Sequence, residues 1–149
     1  MLQPGDKAPD IQLETDTNER FDLAEQKGKK VVIFFYPRAD TPGCTIEACE
    51  FRDTYQQLAK KAVVVGISPD PPKAQTKFKE KFELNYPLLC DVDKTVANAY
   101  GVYKEKNMYG KKVMGIERTT FIVDEHGKIE KVFPKVKPEG HAEEVLAAL

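Results

Sequence analysis

The most constraining feature of this chain is a run of apolar residues from Val31 to Tyr36 that no polar residue interrupts. Aromatic and β-branched residues make up the run, and Pro37 follows it directly. A strand with one solvated face alternates apolar and polar residues, whereas a continuous run is typical of a central strand covered on both faces. The sequence therefore predicts a sheet that carries helices on both sides.

The segments that follow this run predict alternating helices and strands. Apolar residues recur at helical spacing from residue 45 to about residue 61, and residues 63–68 are typical of a second buried strand. A strand–helix–strand unit places the two strands parallel through a right-handed crossover. Nearer the C-terminus, residues 119–123 and 128–133 flank a turn that contains Gly127, which predicts an antiparallel hairpin.

The remaining segments complete a fold prediction for the whole chain. Residues 1–25 predict a β-hairpin, Asp70 is a candidate N-cap for a helix, and a last helix is expected from about Pro138. Residues 104–112 are polar and contain glycine, so we expect a loop there. The prediction is one α/β domain over residues 1–149, with a thioredoxin-like fold. Its mixed central sheet has helices on both faces and an extra N-terminal β-hairpin.

Composition excludes several classes of partner. The chain has 23 Lys and Arg against 24 Asp and Glu, a net charge of −1, whereas nucleic-acid-binding domains usually carry a basic excess. No apolar run approaches the roughly 20 residues that cross a bilayer, and the N-terminal residues lack the apolar core of a secretory signal. Three cysteines are too few for a disulfide scaffold. We therefore expect a cytoplasmic protein with reduced thiols and neither nucleic-acid nor membrane partners.

Cys44 is the strongest candidate for chemistry. It follows the predicted central strand and opens a helix, and sites in open α/β sheets form beyond the carboxyl ends of strands. Free N–H groups and the helix dipole at this position favour a thiolate. Because the dipole contributes at most about 2 kcal/mol, strong activation needs a further cation. From the residues alone, an inert helix thiol remains the alternative.

Arg118 is the candidate for that cation. It directly precedes a predicted strand, stays charged and offers a planar fork of donors, although an arginine at a strand end is often simply solvated. His126 lies in a predicted turn and His141 near the start of the last helix, and we expect both at the surface. Because neither histidine is a suitable base, a Cys–His protease is disfavoured.

The spacing of Cys44 and Cys49 restricts what the two thiols can do. They are five positions apart, so they do not form a C-x-x-C pair, and no second pair stands at zinc-ligand spacing. On a helix, five residues turn by about 140° and separate the Cα atoms by about 8.6 Å, whereas a disulfide needs less than about 7 Å. The two cysteines can join only if the helix start unwinds. Cys90 has apolar neighbours and is expected to be a core thiol.

Residues 37–44, PRADTPGC, resemble the active-site signature of the peroxiredoxins, Pro-x-x-x-Thr/Ser-x-x-Cys. The five-residue spacing from Cys44 to Cys49 is similar to that of the peroxiredoxin Q group, also called bacterioferritin comigratory protein. The resemblance extends along the whole chain and includes residues 4–9, 31–36, 66–68 and 115–121.

This resemblance implies a peroxidase that reduces hydrogen peroxide and alkyl hydroperoxides without a metal or another cofactor. Cys44 would be the peroxidatic cysteine, whose thiolate attacks the peroxide and becomes a sulfenic acid. The hydroxyl of Thr41 would position thiolate and peroxide, Pro37 would shield the pocket, and Arg118 would supply the cation. Backbone N–H groups at the helix start would complete the set of donors.

The resemblance also implies how the enzyme is recycled. Cys49 would be the resolving cysteine, and thioredoxin or a similar dithiol would reduce the Cys44–Cys49 disulfide. Cys90 and an external thiol remain as other resolving groups, and a monomer is the usual state of the group. Two other functions stay open: a thioredoxin-fold disulfide reductase and a thiol-bearing binding or chaperone domain. The missing C-x-x-C pair argues against the first, and the ordinary mixture of charges argues against the second.

Overall fold

A computed structural model describes residues 2–149 of the chain. Its strands, in chain order, are β1 (Gln12–Glu14), β2 (Arg20–Asp22), β3 (Lys30–Phe35), β4 (Ala62–Ser68), β5 (Leu88–Cys90), β6 (Tyr103–Met108), β7 (Lys111–Ile116), β8 (Thr119–Val123) and β9 (Ile129–Phe133). Its α-helices are α1 (Pro42–Ala59), α2 (Pro72–Phe82), α3 (Thr95–Ala99) and α4 (His141–Ala148). Within this part of the chain, no helix combines the length and the apolar character that crossing a membrane requires.

A mixed five-stranded sheet lies at the centre of the fold, in the order β5-β4-β3-β8-β9. The middle strand, β3, is parallel to β4 and antiparallel to β8, and every residue from Val31 to Phe35 is buried. Both faces of the strand are covered, which explains why its sequence has no polar alternation. The predicted central strand, its parallel neighbour and the late antiparallel hairpin are all confirmed.

Two apolar clusters cover the two faces of this sheet. Successive residues of a strand point to opposite faces, and accordingly Val31 and Ile33 belong to one cluster, whereas Val32 and Phe34 belong to the other. Buried side chains of α3 join the first cluster, and those of α1, α2 and α4 join the second. Helices therefore pack on both faces, as predicted, and the longest of them, α1, starts at the carboxyl edge of β3.

The predicted N-terminal hairpin is present as β1 and β2. The two strands pair antiparallel, with Leu13 opposite Phe21. The buried carboxylate of Asp16, in the connecting turn, accepts a hydrogen bond from the N–H of Leu88 at 3.1 Å. It also forms an ion pair with Lys79 at 3.2 Å. These contacts attach the hairpin to β5 and α2.

The expectation of a loop over residues 104–112 is wrong, because this segment forms most of a second hairpin from β6 and β7. The turn consists of Tyr109 and Gly110, with φ of 53° and 78°, and positive φ at both positions is typical of the tight turns that join antiparallel strands. Most of β7 is exposed. Because the backbone ladder rather than a buried face holds the hairpin together, its sequence shows no apolar alternation.

Three helix boundaries also differ from the prediction. Helix α1 begins at Pro42 rather than at residue 45, since proline suits the first helical position. Helix α4 begins at His141 rather than near Pro138. Asp70 does not cap α2, whose N-cap is Pro71. Its carboxylate instead accepts hydrogen bonds from Ser68 Oγ and from the N–H of Ala39, which lies in the loop after β3.

Candidate active site

Cys44 occupies the first turn of α1, just beyond the carboxyl end of β3. Thr41 is the N-cap, with an extended backbone, and Pro42 is the first helical residue. The N–H groups of Gly43 and Cys44 belong to the helix start, where no intrahelical acceptor is available. Those N–H groups and the helix dipole favour an anion at this point. The thiol is only 2% exposed and packs in the apolar cluster that also contains Tyr36.

The guanidinium of Arg118 joins Cys44 to a carboxylate. Its Nη2 lies 3.3 Å from Cys44 Sγ, and its Nη1 lies 2.9 Å from Glu47 Oε1. The planar fork presents a separate N–H group to each partner in a fixed geometry, which the single ammonium of a lysine does not offer. A Cβ atom on residue 43 would stand 3.1 Å from Nη2, so glycine at this position leaves room for the guanidinium. The structure thus brings together Cys44 and Arg118, which are 74 residues apart in sequence.

Glu47 is a site residue that sequence reasoning missed. Its side chain is 1% exposed, and Oε2 has no hydrogen-bond partner among the residues that the structure describes. Burial raises the pKa of Glu47 to about 7, although Arg118 acts in the opposite direction. The available signal was its position three residues after Cys44, on the same helical face. That spacing alone does not distinguish a buried glutamate from the usual exposed one.

Lys106 is a second cation near the site, and it comes from the hairpin that was expected to be a loop. Its Nζ donates a hydrogen bond to the carbonyl of Ile116, and its stem lies against Gly115, where an added Cβ would stand 3.3 Å from Cδ. Burial lowers the pKa of Lys106, and Arg118 lowers it further, whereas Glu117 and Cys44 raise it. Its position depends on the β6–β7 pairing.

Thr41 and Pro37 lie in the loop between β3 and α1. The hydroxyl of Thr41 donates to the carbonyl of Arg38 at 2.9 Å, so in the described part of the chain its hydrogen bond goes to the loop and not to Cys44. Pro37 is half-buried, two residues after the end of β3. The N–H of Ala39 donates to Asp70 at 2.7 Å. The loop is therefore closed by an internal hydrogen bond and attached to Asp70, two residues beyond the end of β4.

All three cysteines are free thiols. Cys49 is half-buried on the same unbroken helix as Cys44, so the structure does not bring the two sulfurs together. Burial raises the pKa of the Cys49 thiol. Cys90 ends β5 and is 6% exposed, and burial raises its pKa to about 12. Cys90 is thus a core thiol, as its apolar neighbours predict.

The prediction of a surface position is wrong for His141, which is 2% exposed. Its Nε2 lies 2.7 Å from Thr120 Oγ1 and its Nδ1 lies 2.9 Å from Glu144 Oε1. Burial lowers the pKa of His141. The residue is buried because the start of α4 packs on α1, where the ring meets Phe51 edge to face. His126 is exposed in the turn between β8 and β9, as predicted.

Comparison with known proteins agrees with this architecture over nearly the whole chain. Residues 4–132 match the sequence model of the AhpC/TSA family. A putative peroxiredoxin bcp of Coxiella burnetii is 54% identical over 149 residues, which are 99% of this chain and 99% of that protein. The peroxiredoxin Bcp of Bacillus subtilis is 45% identical over 149 residues, 99% of this chain and 95% of that one.

Solved structures give the same result. A mutant of PrxQ from Xylella fastidiosa has a TM-score of 0.94 at 33% identity, covering 99% of this chain and 95% of that chain. The bacterioferritin comigratory protein of Xanthomonas campestris has a TM-score of 0.92 at 37% identity, covering 98% and 96%. These likenesses confirm the thioredoxin-like fold and a thiol peroxidase activity. The chain therefore belongs to the AhpC/TSA family, as a peroxiredoxin of the Bcp or peroxiredoxin Q group.

Proposed function

We propose that this peroxiredoxin reduces hydrogen peroxide and alkyl hydroperoxides through a sulfenic acid on Cys44. The observation that carries the proposal is the 3.3 Å separation between Arg118 Nη2 and Cys44 Sγ at a helix N-terminus. Both features favour the thiolate, which is the nucleophilic form. The Xanthomonas campestris bacterioferritin comigratory protein is described by its alkyl peroxide reduction activity, which supports the same substrate class here.

In the proposed reaction, the Cys44 thiolate attacks the terminal peroxide oxygen. An S–O bond forms and the O–O bond breaks, so the sulfur is oxidised to sulfenic acid and the peroxide is reduced. The second oxygen leaves as water or an alcohol after taking up a proton. Arg118 stabilises the negative charge that develops as the O–O bond breaks. Thr41 orients the thiolate and the peroxide, and Pro37 shields the pocket from water.

We further propose that Cys49 resolves the sulfenic acid. Its thiolate attacks the Cys44 sulfur and displaces the oxygen, which leaves as water, and a disulfide forms. Thioredoxin or a similar dithiol then reduces that disulfide and is itself oxidised. Cys90 is a poorer candidate because burial raises its pKa to about 12 and suppresses the reactive thiolate. The half-buried Cys49 needs less movement to become accessible.

The same resemblance supports broader proposals. The enzyme acts as a monomer, in the cytoplasm, with residues 1–149 as one domain. Its substrates are peroxides and its partner is a thiol reductant, with no nucleic acid, membrane or metal involved in turnover. Sedimentation of the reduced and the oxidised enzyme would test the monomer, since a dimer in either form contradicts it.

Mass spectrometry after one equivalent of peroxide tests the mechanism. We expect a Cys44–Cys49 disulfide in the wild-type enzyme and in the control variant Cys90→Ser. Cys49→Ser should stop at the sulfenic acid or proceed to sulfinic acid, and Cys44→Ser should lose peroxidase turnover by orders of magnitude. A Cys44–Cys90 disulfide would contradict the assignment of Cys49. An unmodified Cys44 in the presence of peroxide would contradict the proposed function.

A further inference from the structure

A connected series of hydrogen bonds links α2 and the central sheet to the loop before Cys44. Its buried part lies around the amide of Gln75 in α2, which is 0% exposed. Its Nε2 donates to the carbonyl of Leu89 at 3.0 Å and to Ser68 Oγ at 2.9 Å. Its Oε1 accepts a hydrogen bond from Tyr36 Oη at 2.6 Å. These bonds therefore connect Tyr36, directly after β3, with the end of β4 and with β5.

The same series continues to the loop before Cys44. Ser68 Oγ donates to Asp70 Oδ2 at 2.7 Å, and the N–H of Ala39 donates to that same oxygen at 2.7 Å. Ala39 lies in the middle of residues 37–41, the loop that follows Tyr36 and leads into α1. Asp70 thus connects this loop to Ser68, which is itself held by the buried amide of Gln75.

The conformation of the loop needs such support. Asp40 has a φ of 58°, a left-handed conformation that costs free energy for a residue other than glycine. The ion pair of Asp40 with Lys81 is half exposed, with side chains that are 46% and 59% accessible, so solvent weakens it. Among the described hydrogen bonds of residues 37–41, the bond from Ala39 to the half-buried Asp70 is the one that ties this loop to the segment after β4.

We propose that Asp70 is a positioning residue for the reaction of Cys44 with peroxide. By holding the N–H of Ala39, it fixes the loop that carries Thr41 and leads into the first turn of α1. In the described structure, Asp70 forms no hydrogen bond with Cys44 or Arg118. It therefore acts through the loop. This inference rests on the proposed peroxidase chemistry, in which small displacements of reacting groups cost much of the rate.

The test compares two reactions of the same thiol. Peroxide requires correctly placed neighbours, whereas iodoacetamide requires only an accessible thiolate. For Asp70→Ala, we expect the second-order rate constant with hydrogen peroxide to fall by about 10-fold to 100-fold. At a pH where the thiol is fully ionised, the rate with iodoacetamide should stay within about twofold of wild type. Asp70→Asn keeps an acceptor oxygen for Ala39 and Ser68 and should restore most of the peroxide rate.

Asp91→Ala is the matched control. Asp91 follows the neighbouring strand β5, is 1% exposed and accepts hydrogen bonds from the N–H groups of Val96 and Ala97 at 3.1 and 2.8 Å. Its removal should lower stability, but it serves α3 and not the active-site loop. We expect a wild-type peroxide rate for this variant well below its unfolding temperature. Ser68→Ala is a smaller change in the same series of hydrogen bonds and should slow the peroxide reaction by at least about threefold. It takes the place of Asp70→Ala if the Asp70→Ala protein does not fold.

Several outcomes would overturn the inference. One is a wild-type peroxide rate for Asp70→Ala, or for Ser68→Ala in its place. Another is an equal fall in the rates with peroxide and with iodoacetamide for Asp70→Ala. A third is a fall in the peroxide rate of Asp91→Ala as large as that of Asp70→Ala. Either result would indicate general destabilisation. A wild-type enzyme that does not react with peroxide overturns the proposed function itself, and this inference with it. That result is visible before any variant is made, so the two failures are distinguishable.

Discussion

At the scale of single residues, the proposed site contains one guanidinium that contacts two acidic groups. Arg118 contacts a sulfur through Nη2 and a carboxylate through Nη1. The contact with the sulfur favours the thiolate of Cys44, and the contact with Glu47 holds the guanidinium plane in place. In a site of low dielectric constant, fixed donors stabilise developing charge better than water does, because they need no reorganisation.

We therefore expect Arg118→Ala to slow the reaction of Cys44 with peroxide by about 100-fold or more. Part of that loss should persist in basic buffer, where the thiol is ionised without help, because a donor to the transition state is also missing. Stopped-flow measurement of the peroxide rate against pH would check this. Arg20→Ala removes an exposed arginine of β2 and should react like wild type. If the peroxide rate of Arg118→Ala recovers fully at high pH, then Arg118 only helps the thiol to ionise and does not stabilise the transition state.

The burial of Glu47 predicts a pH-dependent stability. Its pKa rises from 4.5 to about 7 in the folded protein, so the folded state holds a proton that the unfolded state has lost. The stabilisation from this group is complete below about pH 4.5 and is lost as the pH rises to about 7. The loss corresponds to about 3 kcal/mol.

Urea unfolding of wild type and Glu47→Gln at about pH 5 and about pH 8 would measure this contribution. We expect wild type to gain stability relative to Glu47→Gln at the lower pH. Glutamine has the same shape and does not titrate, so the comparison removes the effect of the other ionisable groups. An equal difference between the two proteins at both pH values would contradict the prediction.

At the scale of elements, the proposed chemistry requires α1 to open at its start. Cys44 and Cys49 lie on one continuous helix, which holds their Cα atoms about 8.6 Å apart, beyond disulfide reach. At the end of the segment expected to open, Glu50 Oε1 accepts a hydrogen bond of 2.8 Å from the N–H of Gly140, and we expect the opening to break it. Further along the helix, Leu58 is 0% exposed and anchors the remaining turns on the sheet.

Hydrogen exchange on the reduced and the disulfide forms would test this opening. In the disulfide form, we expect amides 44–50 to lose protection and amides from about Leu58 onward to keep it. The amide of Gly140 should also lose protection, although it is remote in sequence, because its acceptor on Glu50 moves away. Equal protection in both forms, with a Cys44–Cys49 disulfide present, would contradict local unwinding.

At the scale of the whole molecule, the second apolar cluster allows α1 to open at one end without unfolding. Phe51 is 0% exposed and stacks on Phe34 of the central strand, with ring centroids 4.4 Å apart. It also meets the ring of His141 at the start of α4. A single side chain therefore joins α1, β3 and α4 just beyond the segment that is expected to unwind.

We expect Phe51→Ala to lower the free energy of unfolding by about 3–5 kcal/mol, because it leaves a cavity between these three elements. Urea denaturation of the reduced enzyme would measure the loss. Ile46→Ala, on the same helix but 39% exposed, is the matched control and should change stability by no more than about 0.5 kcal/mol. A loss below about 1 kcal/mol for Phe51→Ala would mean that the cluster does not anchor the helix.

The sequence by itself determined the features that are local along the chain. The uninterrupted run at 31–36 predicts the central strand because both faces of that strand are buried, and the alternation around residues 11–23 predicts the N-terminal hairpin. Cys44 is predicted at a helix start because a proline-ended strand and a helical period meet there. Each of these signals lies within one segment, where side-chain period and backbone geometry are coupled directly.

Only the tertiary structure decided which distant groups meet. The contacts of Arg118 with Cys44 and with Glu47 join residues 74 and 71 positions apart. The β6–β7 hairpin is held by backbone pairing with little buried face, so its residues carry no period. His141 and Glu47 are polar residues that only packing of whole elements buries. A local pattern records which face of a segment is apolar, whereas the partner of a buried polar group is set by elements that lie far away along the chain.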